Sequence, residues 1–309
     1  MKYTKSTSHF RSSGGNTDIT YYIYEPTCTI RAILQVCHGM YEYLDRYQDF
    51  IQNMTSHGIL VCGNDHLGHG NSIKSMDDLG QLSEEKGWQN LVLDVKHLTD
   101  LIQKNYPSIP IFIFGHSMGS FLLRAYLTQY GSNLYGVIMS GTSGFNPAAG
   151  FGEFLIKRIY KRKGPLFRSK SFHRIMFGGF NKYFMKDASV VAWLTRDKTI
   201  VEKYINDSKC NFVYTTNGFL NIIKLQRFVT SKVWANKIPK QVPILLISGD
   251  MDPVGNYGKG VKQTYRQLKQ AGVESVSIKL YKDGRHEMHN ELNKEDVYKD
   301  VIDWMNQFI

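Results

Sequence analysis

A serine between two glycines is the residue best suited to covalent chemistry in this chain. Ser117 follows the apolar run Ile111–Phe114 after two further residues and precedes a helix-like run. The surrounding pentapeptide is Gly115, His116, Ser117, Met118 and Gly119. A sharp strand-to-helix turn lifts the serine out of the sheet, and side chains in place of the glycines would collide with the crowded turn. The spacing predicts Ser117 as a nucleophile; the alternative is a tight turn without chemistry.

An acid and then a histidine follow Ser117 in the chain, and this order is the one expected for a nucleophilic serine on a strand-to-helix turn. A serine hydroxyl needs a base, and the base needs an acid that orients it. His286 follows the strand-like run Val276–Tyr281, and Asp252 follows the run Ile244–Ile247. Because the carboxyl ends of parallel strands collect the active site, the three side chains should meet. We predict His286 as the base and Asp252 as the orienting acid, with Asp250 as the competing acid.

Two backbone N–H groups are needed to stabilise the oxyanion that forms when a serine attacks a carbonyl group. The amide of Met118, which follows the nucleophile, is the first predicted donor. The amide of Met40, in the loop after the strand-like run Ala32–Cys37, is the second. His38 and Gly39 open this loop, and an ordinary turn is the alternative interpretation of their sequence.

Alternating apolar and amphipathic segments predict βαβ units and an α/β fold with a mostly parallel central sheet flanked by helices. The predicted strands are Ile19–Tyr24, Ala32–Cys37, Leu60–Gly63, Ile111–Phe114, Gly136–Met139, Ile244–Ile247 and Val276–Tyr281. The predicted helices are Tyr47–Ser56, Trp88–Asn105, Met118–Tyr130, Asn256–Ala271 and Asp296–Ile309. Residues 144–236 interrupt the pattern without a clear strand, which predicts an inserted helical cap (lid) on a core of residues 1–143 and 237–309.

The positive charge of the chain is concentrated in the predicted cap. The chain has a net charge of +11, and residues 144–236 contain 17 Lys and Arg against 5 Asp and Glu. Aromatic residues interleave with these cations, as in surfaces that bind anionic lipid. Two interpretations remain open: peripheral contact with an anionic membrane, or a solvated basic face over an apolar core. Nucleic acid is not an expected partner, although charge alone permits it.

Several classes of protein do not fit the sequence. No stretch reaches the roughly 18 apolar residues of a membrane-spanning helix, and residues 1–15 do not resemble a signal peptide. The four cysteines lack zinc-type or redox spacing, and three lie in or beside apolar runs, so we expect buried free thiols and a cytoplasmic location. They are Cys28, Cys37, Cys62 and Cys210.

Two histidine pairs raise the question of a metal ion. His66 and His69 are three residues apart, as are His286 and His289. Zinc-binding pairs on a helix lie four apart in the motif His-Glu-x-x-His, and both pairs here lie in glycine-rich or loop sequence. We therefore expect no metal site.

Four stretches together resemble the monoacylglycerol lipase and lysophospholipase branch of the α/β-hydrolases, within the serine aminopeptidase-type family. They are His38–Glu42 with Arg46 and Tyr47, Asp65–Ser72, Asp94–Gly119, and His286–Glu291. The resemblance implies an α/β-hydrolase fold whose cap forms the acyl pocket. It also implies cleavage of small-molecule fatty acyl esters through an acyl-enzyme on Ser117, without metal or organic cofactor. An aminopeptidase or acyltransferase of this fold, or a non-catalytic binding protein, remains the alternative.

Overall fold

The computed structural model describes residues 3–15, 17–187 and 189–309. The described strands form one sheet and are β1 (Tyr3–Arg11), β2 (Asp18–Pro26), β3 (Ala32–Cys37), β4 (Ile59–Asn64), β5 (Ile111–His116), β6 (Gly136–Ser140), β7 (Ile244–Gly249) and β8 (Val276–Tyr281). Their order across the sheet is β1-β2-β4-β3-β5-β6-β7-β8. β1 and β2 pair antiparallel, whereas β3 to β8 pair parallel with one another. The predicted mostly parallel sheet is confirmed.

Helices cover both faces of the central strands. They are α1 (Gln48–Ser56), α2 (Gly87–Asn105), α3 (Met118–Tyr130), α4 (Ala149–Lys163), α5 (Lys170–Phe177), α6 (Lys198–Asn206), α7 (Thr216–Val229), α8 (Lys259–Gln270) and α9 (Lys294–Met305). Phe112 and Phe114 of β5 pack with α1 and α9, while Ile111 and Ile113 pack with α2 and α3. A strand that is covered on both faces needs apolar residues at successive positions, which explains the unbroken apolar run of β5.

Three elements differ from the sequence-based prediction by three residues or more, and one of them is α9, which ends at Met305 rather than at Ile309. β1 was not predicted, because it lies at the sheet edge with most of its side chains exposed and carries few apolar residues. Helix α8 begins at Lys259 rather than at Asn256. Asn256 and Tyr257 have φ angles of 49° and 54°, which lie outside the right-handed helical region.

The chain between β6 and β7 carries the helices α4 to α7, and its described residues form no strand. We call residues 144–236 the cap segment. Both ends of this segment are held by Arg124 of α3, which is fully buried. Its guanidinium donates to the carbonyl of Ser143 at 2.8 Å and to the carbonyl of Val229, and it lies 4.1 Å from the ring centre of Trp234. One core side chain therefore binds the chain where it leaves the sheet and where it returns.

The four cysteines are free thiols. Cys37, Cys62 and Cys210 are buried, as expected, whereas Cys28 is exposed after the end of β2. In the part of the chain that the structure describes, no helix is both long enough and apolar enough to cross a membrane.

Candidate active site

Ser117 lies at the sharp turn between β5 and α3. Its φ and ψ angles are 52° and −117°, a conformation that costs energy for a residue with a side chain. The Ser117 N–H donates to the carbonyl of Ser140 at 2.9 Å and so fastens the turn to β6. The turn also requires its glycines. A Cβ atom on Gly115 would lie 2.6 Å from the carbonyl oxygen of Gly119, and one on Gly119 would lie 2.0 Å from that of Cys37.

Asp252 holds the predicted base, His286. Its Oδ2 atom lies 2.9 Å from His286 Nδ1, and the carboxylate is fully buried. The Val254 N–H donates to the other carboxylate oxygen at 2.8 Å, which fixes the orientation of the acid. Asp250, the competing acid, instead accepts a hydrogen bond from the Asp283 N–H at 2.8 Å. In the structure Asp252 therefore contacts His286, whereas Asp250 contacts the backbone of Asp283.

His286 differs in its electrostatics from the neighbouring histidines. Burial alone would lower its pKa, but the charge of Asp252 and the hydrogen bond to it raise that pKa above the ordinary value. The ring of His116 lies 4.6 Å from that of His286, and burial lowers the pKa of His116 well below its ordinary value. Burial also lowers the pKa of His289, which interacts with His286, to about 3. These two neighbours are uncharged at neutral pH, so Asp252 and His286 form the polar pair that can accept a proton.

Ser117, His286 and the two predicted oxyanion donors line one cavity. Met118 is the first residue of α3, and the N–H of a first helical residue has no partner within its helix. Met40 lies in the loop after β3, which abuts the serine: a Cβ atom on Gly39 would lie 3.0 Å from the Cβ atom of Ser117. The cavity therefore holds a hydroxyl, a base and the residues of both predicted donors.

The walls of this cavity are mainly apolar, and the cap segment supplies about half of the lining residues. The apolar ones include Met176, Phe177, Phe180, Trp193, Leu194 and Phe219. The ring centre of Trp193 lies 5.1 Å from that of His286. An apolar part of a ligand would contact these side chains.

Histidines of both pairs contact protein groups: His69 Nε2 bonds to the hydroxyl of Tyr214, and the ring of His289 stacks on that of Tyr47 with 4.2 Å between ring centres. His38 Nε2 accepts a hydrogen bond from the His66 N–H at 2.9 Å, and burial lowers the pKa of His66 to about 3 and that of His69 to about 4. Within the described ranges, no group of three or more His, Cys, Asp and Glu residues could hold a metal ion.

A buried charge cluster lies beside the site, and the sequence predicted no role for it. Arg46 donates to both carboxylate oxygens of Glu287 at 2.7 and 2.8 Å and to Glu42 at 3.3 Å. Burial and the charge of Glu287 raise the pKa of Glu42, whereas the pKa of Glu287, which burial alone would raise, is lowered by Arg46. The signal in the sequence was an acid directly after the predicted base, but its partner lies 241 positions away.

The sheet order and the turn that carries Ser117 define an α/β-hydrolase, and the chain is a serine hydrolase of this class. The family model Hydrolase_4, described as serine aminopeptidase S33, matches residues 29–293, and the chain belongs to this family.

The proteins similar to this chain include lipases and esterases. The chain is 26% identical to a monoacylglycerol lipase of Mycolicibacterium smegmatis, covering 98% of this chain and 97% of that protein. It is also 26% identical to the human monoglyceride lipase, covering 92% and 85%. Among solved structures, a thermostable carboxyl esterase from Bacillus coagulans in complex with glycerol superimposes with a TM-score of 0.92 at 32% identity, covering 98% of both chains. These relatives support ester hydrolysis as the reaction type.

Proposed function

We propose that this protein hydrolyses fatty acyl esters, with a monoacylglycerol or a lysophospholipid as the substrate, through an acyl-enzyme on Ser117. The observation that carries the proposal is the buried His286–Asp252 pair next to Ser117 in an apolar cavity. The lipase and esterase names of the relatives support the same reaction.

The proposed reaction has two steps. His286 takes the proton from the Ser117 hydroxyl while its oxygen attacks the ester carbonyl, and the amides of Met40 and Met118 stabilise the oxyanion. The ester C–O bond then breaks, and His286 gives its proton to the departing alcohol. In the second step a water molecule gives a proton to His286 and attacks the acyl-enzyme. The fatty acid leaves, and Ser117 regains its proton.

The charges around the cavity favour an ester over a peptide substrate. An aminopeptidase needs a free acidic group for the amine of its substrate. Glu42 and Glu287 line the cavity, but Arg46 binds both of them. The cap segment, which supplies much of the apolar wall, has a net charge of +12. An acyl chain matches this environment better than a protonated amine.

A substrate panel tests the proposal. It contains p-nitrophenyl esters of increasing chain length, a monoacylglycerol, a lysophospholipid and an amino-acid amide. Wild type is compared with Ser117→Ala and with Ser120→Ala as the matched control, because the Ser120 hydroxyl donates to the carbonyl of Ser117 at 2.6 Å one turn away. We expect long-chain esters to be cleaved, Ser117→Ala to be inactive, and Ser120→Ala to keep activity within a few fold.

Other outcomes would assign a different function. Cleavage of the amide alone would indicate an aminopeptidase. Transfer of the acyl group to an added alcohol in preference to water would indicate an acyltransferase. If no substrate were cleaved and a fluorophosphonate probe failed to label Ser117, a binding protein on a hydrolase scaffold would replace the enzyme.

We also propose that residues 144–236 form a cap on a core of residues 1–143 and 237–309, and that this cap seats on anionic membrane. Helix α4 exposes 67% of Phe151 and 55% of Phe154 beside the exposed cations Lys157, Arg158 and Lys161. Exposed rings that enter the lipid interface, next to cations that attract its headgroups, are typical of peripheral membrane helices. The protein would then be cytoplasmic with a reversible membrane-bound fraction.

Sedimentation with vesicles tests the membrane contact. We expect binding to vesicles that contain phosphatidylglycerol, weaker binding at high salt, and a loss in the double variant Phe151→Ser, Phe154→Ser. Phe145→Ser, which changes another exposed ring of the cap segment outside α4, is the control. If wild type did not sediment with these vesicles, the basic face would be a solvated surface, and equal binding of the double variant would show that the rings of α4 do not enter the lipid.

A further inference from the structure

Glu42 belongs to the loop between β3 and α1 and forms hydrogen bonds with other residues of this loop. This carboxylate accepts hydrogen bonds from the Gly39 N–H and, at 2.8 Å, from the hydroxyl of Tyr47. Only 2% of its side chain is exposed. The loop is also strained at Tyr41, whose φ angle is 58°. A buried acceptor that binds the Gly39 N–H fixes the His38–Gly39 peptide group, which directly precedes the peptide group that carries the Met40 N–H.

The same carboxylate is connected to the loop that carries His286. Arg46 donates to Glu42 and holds Glu287, the neighbour of His286, through two parallel hydrogen bonds. The Glu287 N–H in turn donates to the carbonyl of Leu194 at 2.7 Å. The cluster therefore joins three parts of the site: the loop of Met40, the loop of His286, and the wall of the cavity.

Stability alone is a poor explanation for this cluster. Two buried acids share a single arginine, and burial of charges costs free energy that apolar residues of similar shape would avoid. Such clusters are explained more readily by the conformation that they impose. Here that conformation matters, because a Cβ atom on Gly39 would lie 3.0 Å from the Cβ atom of Ser117. A small displacement of the loop would move the Met40 amide relative to the serine.

We propose that Glu42 is a positioning residue for acyl transfer, which holds the Met40 amide at the oxyanion through the Gly39 peptide and ties this loop to that of His286 through Arg46 and Glu287. The proposal rests on the proposed function above. It assigns Glu42 no contact with the substrate. Its effect should therefore appear in the stabilisation of the tetrahedral intermediate rather than in the binding of the ester.

Two substitutions separate the hydrogen bond from the charge. Glu42→Met keeps the length of the side chain but removes the acceptor for Gly39. Loss of an oxyanion donor lowers kcat by about 10²–10³, so we expect a decrease of about 100-fold with KM changed less than about threefold. Glu42→Gln keeps an acceptor but loses the attraction to Arg46, and we expect a decrease in kcat of about fivefold. Glu153→Gln, which changes an ion-paired acid of the cap segment, is the control and should keep the wild-type kcat.

Two inhibitors distinguish positioning from a general loss of structure. A long-chain alkyl boronic acid forms a tetrahedral adduct with Ser117, and a fatty alcohol of the same length binds without one. In both Glu42 variants, the inhibition constant of the boronic acid should rise by the factor by which kcat falls, while that of the alcohol should stay unchanged. If Glu42→Met melts below the assay temperature, Glu42→Gln carries the same comparison.

Each result has a distinct meaning. A folded Glu42 variant with wild-type kcat would overturn the proposal while leaving ester hydrolysis intact. Equal weakening of both inhibitors would also overturn it, because it would indicate a distorted cavity rather than a displaced amide. If wild type itself cleaved no ester, the proposed function would fail, and the role of Glu42 would fail with it.

Discussion

Asp252→Asn is the substitution with the most specific expected outcome. The carboxylate lies 2.9 Å from His286 Nδ1. In the proposed reaction it keeps a hydrogen atom on that nitrogen, so that Nε2 accepts the proton of Ser117. An asparagine can turn its NH₂ group toward Nδ1, which favours the tautomer with the hydrogen on Nε2. In a serine protease with the same Ser-His-Asp arrangement, this change lowers kcat by about 10⁴. We expect a decrease of about 10³–10⁴, which corresponds to about 4–5.5 kcal/mol.

The same substitution should move the pH profile. In the wild type, Asp252 raises the pKa of His286 against the effect of burial. Activity needs the neutral imidazole, so kcat/KM should fall as pH decreases through that raised pKa. Without the charge of Asp252, burial remains and lowers the pKa. The acidic limb of the profile should therefore lie at lower pH in Asp252→Asn than in the wild type, although the plateau is lower.

The assay is kcat/KM for a p-nitrophenyl ester across pH, with Asp250→Asn as the matched control. Asp250 follows the same strand but binds the Asp283 amide, so its replacement should leave the profile unchanged. A loss below tenfold in Asp252→Asn, or a limb displaced to higher pH, would refute the reasoning. An equal loss in Asp250→Asn would transfer the orienting role to Asp250.

Three further results are expected. Gly119→Ala should destabilise the protein by more than about 2 kcal/mol in a thermal melt, because its Cβ atom would lie 2.0 Å from the carbonyl oxygen of Cys37; a wild-type melting temperature would contradict the turn geometry. Arg124→Met should lower the free energy of unfolding by about 2–4 kcal/mol, since buried carbonyl groups lose their donor; Lys96→Met, on the surface, is the control. Under native conditions a thiol reagent should modify Cys28 alone, and rapid modification of a second thiol would show that the core opens.

The core of the fold was predictable because local sequence patterns determine it. The strand Ile111–His116 is apolar at its first four positions, and α3 was predicted with its observed bounds of Met118–Tyr130. β1 carries no such pattern, because most of its side chains face solvent and it lies beside β2 at the edge of the described sheet. Periodicity reports burial, so an exposed edge strand gives a weak signal.

The sequence alone could not predict the contacts between the loops. Ser117, Asp252 and His286 could be named from their order after strands, and the structure brings the last two into hydrogen-bonding contact. The contact of Arg46 with Glu287 depends on how two loops that are distant in the chain meet above the sheet. No local pattern encodes that meeting. Likewise, the helices of the cap segment mix exposed rings with cations, which obscures their apolar faces.

The hydrogen bonds of Arg124 to both ends of the cap segment have a consequence for how the sequence can change in evolution. Since the carbonyl groups of Ser143 and Val229 bind the same guanidinium, the chain between them is closed near its base. Lengthening a loop that is already closed costs little, about 0.6 kcal/mol for each doubling. Insertions, deletions and rearranged helices can therefore accumulate above Arg124 while the sheet and the serine turn below stay as they are. The half of the cavity wall that the cap segment supplies can therefore change more freely than the half that carries Ser117 and His286.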